Sequence, residues 1–311
     1  MIMDSYEKIL KLETTPEALE ATVCYLAARM KPFMQTLEPV LICYPDEGPA
    51  SLGGIFKEAI LRCEATPVFW GPDYRWKELL RIAFDTHANT LIGHPLVILG
   101  LMKLARATRT PLYIYDVIAC GDPFPRWMVN GMKLGLDCNV WGCYAVHSTP
   151  VIAGFSCEQE AGIHIREELF TPFVERGGDL SHSNRGRLYF TYKGDPELVF
   201  DPEVIGIVQN QPCSCGCDSP RVQDTITSRA DAASDEALVE SLLTWSSVLD
   251  FRATNTENGL KLELIVFSNE ALPEFPSCAQ LLLHNWDPEK DVPFFVQEHY
   301  LKEPEISFRN H

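Results

Sequence analysis

Two hydrophobic rhythms run along the chain. Up to about residue 136, short apolar runs alternate with amphipathic stretches. Residues 39–44, 67–70, 90–92 and 111–118 are apolar enough to read as buried strands. Residues 52–63, 74–84 and 95–107 read as helices between them, the middle one carrying Trp76, Leu79, Leu80 and Ala83 on one face. Such alternation implies a parallel sheet covered on both faces. The first 35 residues read as helical. Thr15 is placed to cap a helix that Pro16 opens, and Leu19, Val23, Leu26, Ala27 and Met30 form its apolar stripe.

Beyond residue 136 the pattern becomes short strands: 139–144, 151–155, 162–166, 187–192 and 204–208. From about residue 228 a helix (234–249), a strand (260–267), Pro-rich turns and a short helix near 277–283 read as an α+β appendage. The expected class is therefore α/β. A body over 1–227 combines a parallel-sheet subdomain with a β-rich subdomain over 137–227, and 228–311 forms a small C-terminal domain. No internal repeat or low-complexity segment stands out.

Composition narrows the function. Hydrophobic residues at 46% and charged residues at 22% are ordinary for a globular protein of 311 residues. A net charge of -17 disfavours nucleic acid and anionic membrane surfaces, since both repel an acidic protein. The N-terminus has acidic residues where a signal peptide needs a basic head. The longest apolar run, 95–102, is too short to span a bilayer. Eleven cysteines at irregular spacing read as reduced thiols, hence a cytoplasmic protein, with some thiols available for metal.

The strongest local signal is a Cys/His set. Cys157 is followed seven residues on by His164, and later by Cys213-Ser214-Cys215-Gly216-Cys217. Thiolate and imidazole are the donors zinc prefers, and four of them close a tetrahedral structural site. The favoured ligands are Cys157, His164, Cys213 and Cys215, with Cys217 as the substitute. The competing reading is a group of unrelated buried thiols. No Gly-x-Ser-x-Gly elbow supports hydrolase chemistry.

The segment from Cys157 to Glu168, which carries Gly162 and His164, resembles the Cys-Glu…Gly-Leu-His…Glu-Asp stretch of phenylacetate–CoA ligases, a branch of the adenylate-forming enzymes. Cys213 to Arg221 resembles their Cys-Pro-Cys-Gly…Pro-Arg turn. Other pieces follow in matching order. Ala119 to Pro123 is similar to the Gly-Gly-Glu-Pro strand end, and Trp141 to Ser148 to Tyr-Gly-x-Ser/Thr-Glu. Ser228 to Asp231 is similar to the Gly-Arg-x-Asp-Asp hinge, with Val239-Glu240 starting the lid helix. The resemblance implies an enzyme body with a small lid. Its reaction joins a carboxylic acid to ATP with magnesium, and coenzyme A then displaces AMP.

It also implies residue roles, four of them beside a plainer alternative. Gly121, Asp122, Tyr144, Ser148 and Arg229 fall on the nucleotide side, and His94 and His147 on the acid pocket. Asp122 is equally natural in a turn, Tyr144 in a core, His94 as a helix cap, and Arg229 as a partner of Asp231. The chain departs from the family at several points. Its first glycine is Gly48, which leaves no upstream Gly-rich phosphate loop. Ser148 stands where a magnesium-holding Glu belongs, and the ribose-binding acid would fall near apolar Val204. Neither residues 308–311 nor Lys302 match the lid lysine region. The expectation is a ligase-like binder of a small, aromatic carboxylic acid and a nucleotide, with weakened adenylation. The alternative is a non-catalytic subunit, paired with itself or a partner that covers an incomplete N-terminal subdomain.

Overall fold

A computed structural model describes residues 2–71, 73–121, 124–146, 149–159, 162–175, 185–227, 241–242, 244–256, 259–267 and 278–300. Two N-terminal helices, α1 (Ile2–Glu13) and α2 (Pro16–Met30), precede the sheet. Thr15 caps α2, its Oγ1 accepting from Ala18 N at 3.3 Å. Strands β1 (Pro39–Ile42), β2 (Thr66–Phe69), β3 (Thr90–Gly93), β4 (Asp116–Cys120) and β5 (Asn139–Ala145) then alternate with α3 (Leu52–Arg62), α4 (Trp76–Asp85), α5 (Pro95–Thr108) and α6 (Arg126–Leu136).

These five strands are parallel in the order β2-β1-β3-β4-β5. The chain moves outward from β1 to β2 and then returns to β3. Right-handed crossovers therefore put α3 on one face and α4, α5 and α6 on the other. Helix contacts agree: α2 packs on α3, whereas α5 packs between α4 and α6. The reversal of direction opens a crevice between the carboxyl ends of β1 and β3, where ligands bind in sheets of this kind.

Beyond β5 the same sheet continues antiparallel. Strands β6 (Ile152–Ser156), β7 (Ile163–Ile165), β8 (Phe170–Glu175), β9 (Arg185–Tyr192), β10 (Val199–Phe200), β11 (Val204–Gln209) and β12 (Arg221–Thr227) follow. They add in the order β6-β7-β12-β11-β9-β10, with β8 alongside β9. The parallel and β-rich parts thus share one continuous 12-stranded sheet, joined where β5 pairs with β6. A large core lies under the parallel half, and a second, around Tyr144, Phe170, Phe190 and Phe200, under the antiparallel half.

A three-stranded sheet follows: β13 (Val248–Thr256), antiparallel to β14 (Gly259–Val266), which is parallel to β15 (Cys278–Asn285). It rests on α5. The Lys103 ammonium donates to Leu242 O at 3.0 Å and Val248 O at 2.8 Å. From Trp286 the chain returns over the parallel sheet to α7 (Phe294–His299). Among the described residues, no helix is long and apolar enough to cross a membrane.

The α/β class and the parallel-then-β-rich order expected from sequence are found. Several element assignments change, and strands β8, β10, β12 and β13 were not expected from the sequence. The strand expected over 111–118 starts only at Asp116, because the alternating exposure of 111–115 leaves Tyr113 and Tyr115 outside. Helix α6 was hidden by its short stripe, with Met128 and Met132 its buried residues. The helix expected near 277–283 is strand β15, since three consecutive leucines have no helical period and pair beside β14. Of the helix expected over 234–249, residues 234–240 and 243 lie outside the described residues, and Val248 and Leu249 belong to β13.

Candidate functional site

Three chain segments meet at one corner of the antiparallel half. Cys157 follows the end of β6, and His164 is the middle residue of β7. Ile163 and Ile165 turn into the second core, so alternation directs His164 to the opposite face. The third segment is the turn before β12. Gly216 N donates to Cys213 O at 2.9 Å, and Cys213 N to Cys217 O at 3.0 Å. Gly216 takes φ +85, a conformation that favours glycine.

One donor atom from each of Cys157, His164, Cys213 and Cys215 lies within 4.8 Å of the other three. Cys157 Sγ is 3.8 Å from Cys213 Sγ, and Cys215 Sγ is 3.5 Å from His164 Nε2. A tetrahedral zinc with bonds of about 2.3 Å to sulfur and about 2.0 Å to nitrogen needs edges of roughly 3.8 and 3.5 Å. Two of the six edges thus match the ion, and all six lie within 4.8 Å. His164 Nδ1 meets Ser219 Oγ at 3.0 Å, the second contact that fixes a ligating ring. Cys217 instead faces Ser219 Oγ at 3.1 Å. Four protein donors leave no open position, so this geometry suits a structural ion.

Protonation sets the pH behaviour. Burial, with Arg221 nearby, holds the His164 imidazole below its usual range, which favours the neutral form a metal needs. Burial pushes the Cys157 thiol up to about 11. Binding must therefore release protons, and affinity for zinc is expected to fall as pH drops from 8 to 6. A competition titration with a chromophoric chelator at the two pH values measures this.

The second candidate region is the crevice at the strand ends. Tyr44, just beyond β1, donates its hydroxyl to Cys120 O at 2.6 Å. His94, just beyond β3, caps α5 by accepting Leu96 N on Nδ1 at 3.3 Å. Gly121, just beyond β4, has φ +107, and a Cβ there would sit 3.1 Å from His94 Cδ2. The structure thus brings His94 and Gly121 together. Tyr144 is elsewhere: it is 1% exposed and its ring packs at 5.3 Å on Phe190. The core alternative, not the adenine-stacking one, describes its position. Asp122, His147, Ser148 and Arg229 lie outside the described residues. Near Val204 stands buried Asp201, whose Oδ2 accepts from Arg187 Nε at 2.7 Å.

Sequence reasoning missed the residues that complete this region. Phe295 from α7 stacks on His94 with centroids 3.7 Å apart and planes 15° apart. Tyr44 and Tyr300 meet Phe295 edge-on at 6.5 and 6.0 Å. The Phe294-Phe295 pair and Tyr300 were visible as aromatics, but no local pattern ties them to the ends of β1 and β3.

No family model matches the sequence, and no curated protein sequence matches it. Solved structures do. A 2-hydroxyisobutyryl-CoA ligase in the postadenylation state matches at TM-score 0.60 and 15% identity, over 80% of this chain and 58% of that one. A benzoate CoA ligase from Burkholderia xenovorans matches at TM-score 0.57 and 10% identity, over 90% of this chain and 65% of that one. An amide bond synthetase from Marinactinospora thermotolerans gives 0.52 and 12%, over 90% and 64%. The chain has the fold of these enzymes and spans about three fifths of the length of the ligases and synthetase it matches.

Proposed function

We propose that the chain is a ligase-scaffold protein of the phenylacetate–CoA ligase type that binds a small aromatic carboxylic acid and an adenine nucleotide, with zinc as a structural ion. The observation that carries this reading is the switch-point crevice, with His94 and Gly121 at the ends of β3 and β4. In a chain with a ligase fold, that is where an acyl-adenylate would lie. Similar ligases support the ligand class, since one is described in complex with 2-HIB-AMP and CoA. Coenzyme A is the corresponding acceptor here. The zinc thiols need a reducing compartment, in keeping with a cytoplasmic protein.

Turnover is expected to be slight. Ser148 occupies the position where the resemblance puts the magnesium-holding Glu, and a preorganised transition-state contact supplies about 10²–10³ in rate. ATP–pyrophosphate exchange with a panel of aryl and short acyl acids tests this. Exchange at the background rate is expected. Acid-dependent exchange at ligase rates would contradict the weakened-adenylation reading.

A second reading, as a subunit of an assembly, is favoured by the outer strand of the small sheet. Leu281, Leu282 and Leu283 on β15 are 40, 41 and 49% exposed, and residues 278–285 include no Lys, Arg, Asp or Glu. Edge strands are normally guarded by charge. Light scattering should give a mass above one chain that falls to one chain in Leu282→Lys. A single-chain mass for the wild type would remove this reading.

A further inference from the structure

The segment from Trp286 to Tyr300 is a strap laid across the carboxyl ends of the parallel strands. At the β2 side, Glu289 takes an ion pair from Lys77, and Trp76 N donates to Asp291 O at 3.0 Å. His284 Nε2 meets Asp291 Oδ1 at 2.9 Å, and Asp287 N donates to Asp291 Oδ2 at 2.6 Å. Further along, Phe294 N donates to Asp250 Oδ2 at 2.8 Å, so a carboxylate of β13 holds the start of α7. The strap then drops Phe295 onto His94, and Tyr44 stands edge-on to both Phe295 and Tyr300. His94 is left 5% exposed, Tyr44 1% and Phe295 7%. Among the described residues, the crevice where a ligand is expected is filled by the chain itself.

We infer that this strap is a self-occupying plug: the Phe295 ring fills the flat slot on His94, and the crevice takes a ligand ring only when the strap leaves. This rests on the crevice-binding reading above for what displaces the plug, but not for the closure itself. The contacts divide the strap's hold into two parts. Phe295 occupies the slot, whereas Asp250 and the Lys77–Glu289 pair hold the strap from outside it. A ligand that enters competes with the ring contacts, and the outer contacts set how far the strap swings. An equilibrium of this kind lowers apparent affinity by the fraction of molecules that are open. The same displacement would report ligand binding at the surface, through the segment that carries β15 into α7.

The test combines a ligand-free and a ligand-dependent measurement. Histidine carbethoxylation, read site by site with mass spectrometry, should find His94 protected in the wild-type chain and at least tenfold faster in Phe295→Ala. Calorimetric titration with AMP plus phenylacetate should show at least tenfold tighter binding by Phe295→Ala. Amide exchange in the wild-type chain needs no variant, and the amides of Phe294 to Tyr300 should exchange faster when both probes are present. Equal His94 reactivity in the two proteins would overturn the plug. So would equal affinity, or unchanged exchange in a wild-type chain that binds both probes. Protection of His94 that is lost in Phe295→Ala, with no ligand bound by either protein, would uphold the plug and overturn the ligand-binding reading.

Discussion

Cys215→Ser is expected to remove stoichiometric zinc and to be the most damaging single change outside the two main cores. Cys215 supplies one of four donors, and its sulfur lies 3.5 Å from His164 Nε2. The ion would tie the end of β6, the middle of β7 and the turn entering β12, three places that the backbone ladder joins only weakly. β12 pairs with β7 through two residue pairs, Arg221 with His164 and Val222 with Ile163. Loss of a structural metal belongs to the few single changes that cost on the order of 4–5 kcal/mol or more. Metal analysis should fall from one zinc per chain toward zero, and the thermal midpoint should drop to that of chelator-treated wild type. Cys217→Ser is the control. Its sulfur faces Ser219 rather than the cluster, so zinc should stay bound. Loss of zinc in Cys217→Ser with retention in Cys215→Ser would reassign the fourth ligand.

Lys103→Met should loosen the small sheet from α5, with a pH dependence that identifies the cause. Lys103 is 7% exposed and donates to two carbonyl oxygens, those of Leu242 and Val248. Removing the donor takes this hydrogen bond from both carbonyls, at about 1–3 kcal/mol each. Burial lowers the Lys103 pKa to about 8, only partly opposed by the Asp250 carboxylate. The sign follows from proton counts. Between pH 8 and the unfolded value near 10.5 the unfolded lysine holds its proton while the folded one has lost it. The unfolded state binds more protons there, so the contribution of Lys103 to stability grows as pH rises through that window. The neutral amine still has two N–H groups for two carbonyls. Denaturant unfolding of both proteins at pH 7.5 and 9.5 measures the difference. A larger wild-type advantage at pH 9.5 is expected, and a smaller one would contradict the assignment.

Much of the parallel half was legible because its strands are continuous apolar runs and its helices keep one clear face. Trp76, Leu79, Leu80 and Ala83 are all buried on α4, where their spacing put them. The Cys/His set was legible because thiol and imidazole chemistry is local in kind even when distant in sequence, and the structure gathers the four named residues. The rest depended on pairing partners that no local pattern states. Leu281 to Leu283 are compatible with helix or strand until β14 is known to lie beside them. Tyr144 sits where the alternation of β5 turns it, away from Cys143 and Ala145, into the second core. Phe295 reaches His94 across some two hundred residues of sequence, and nothing in either segment announces the other. The crevice could be placed from strand order, but the residue that fills it could not.

Calorimetric titration of AMP into the wild-type chain and into Phe295→Ala decides whether this ligase scaffold binds a nucleotide. One AMP site per chain is expected in both proteins, tighter in the variant, with zinc retained throughout. Absence of any AMP binding in both, in folded protein carrying its zinc, would contradict the nucleotide-binding reading.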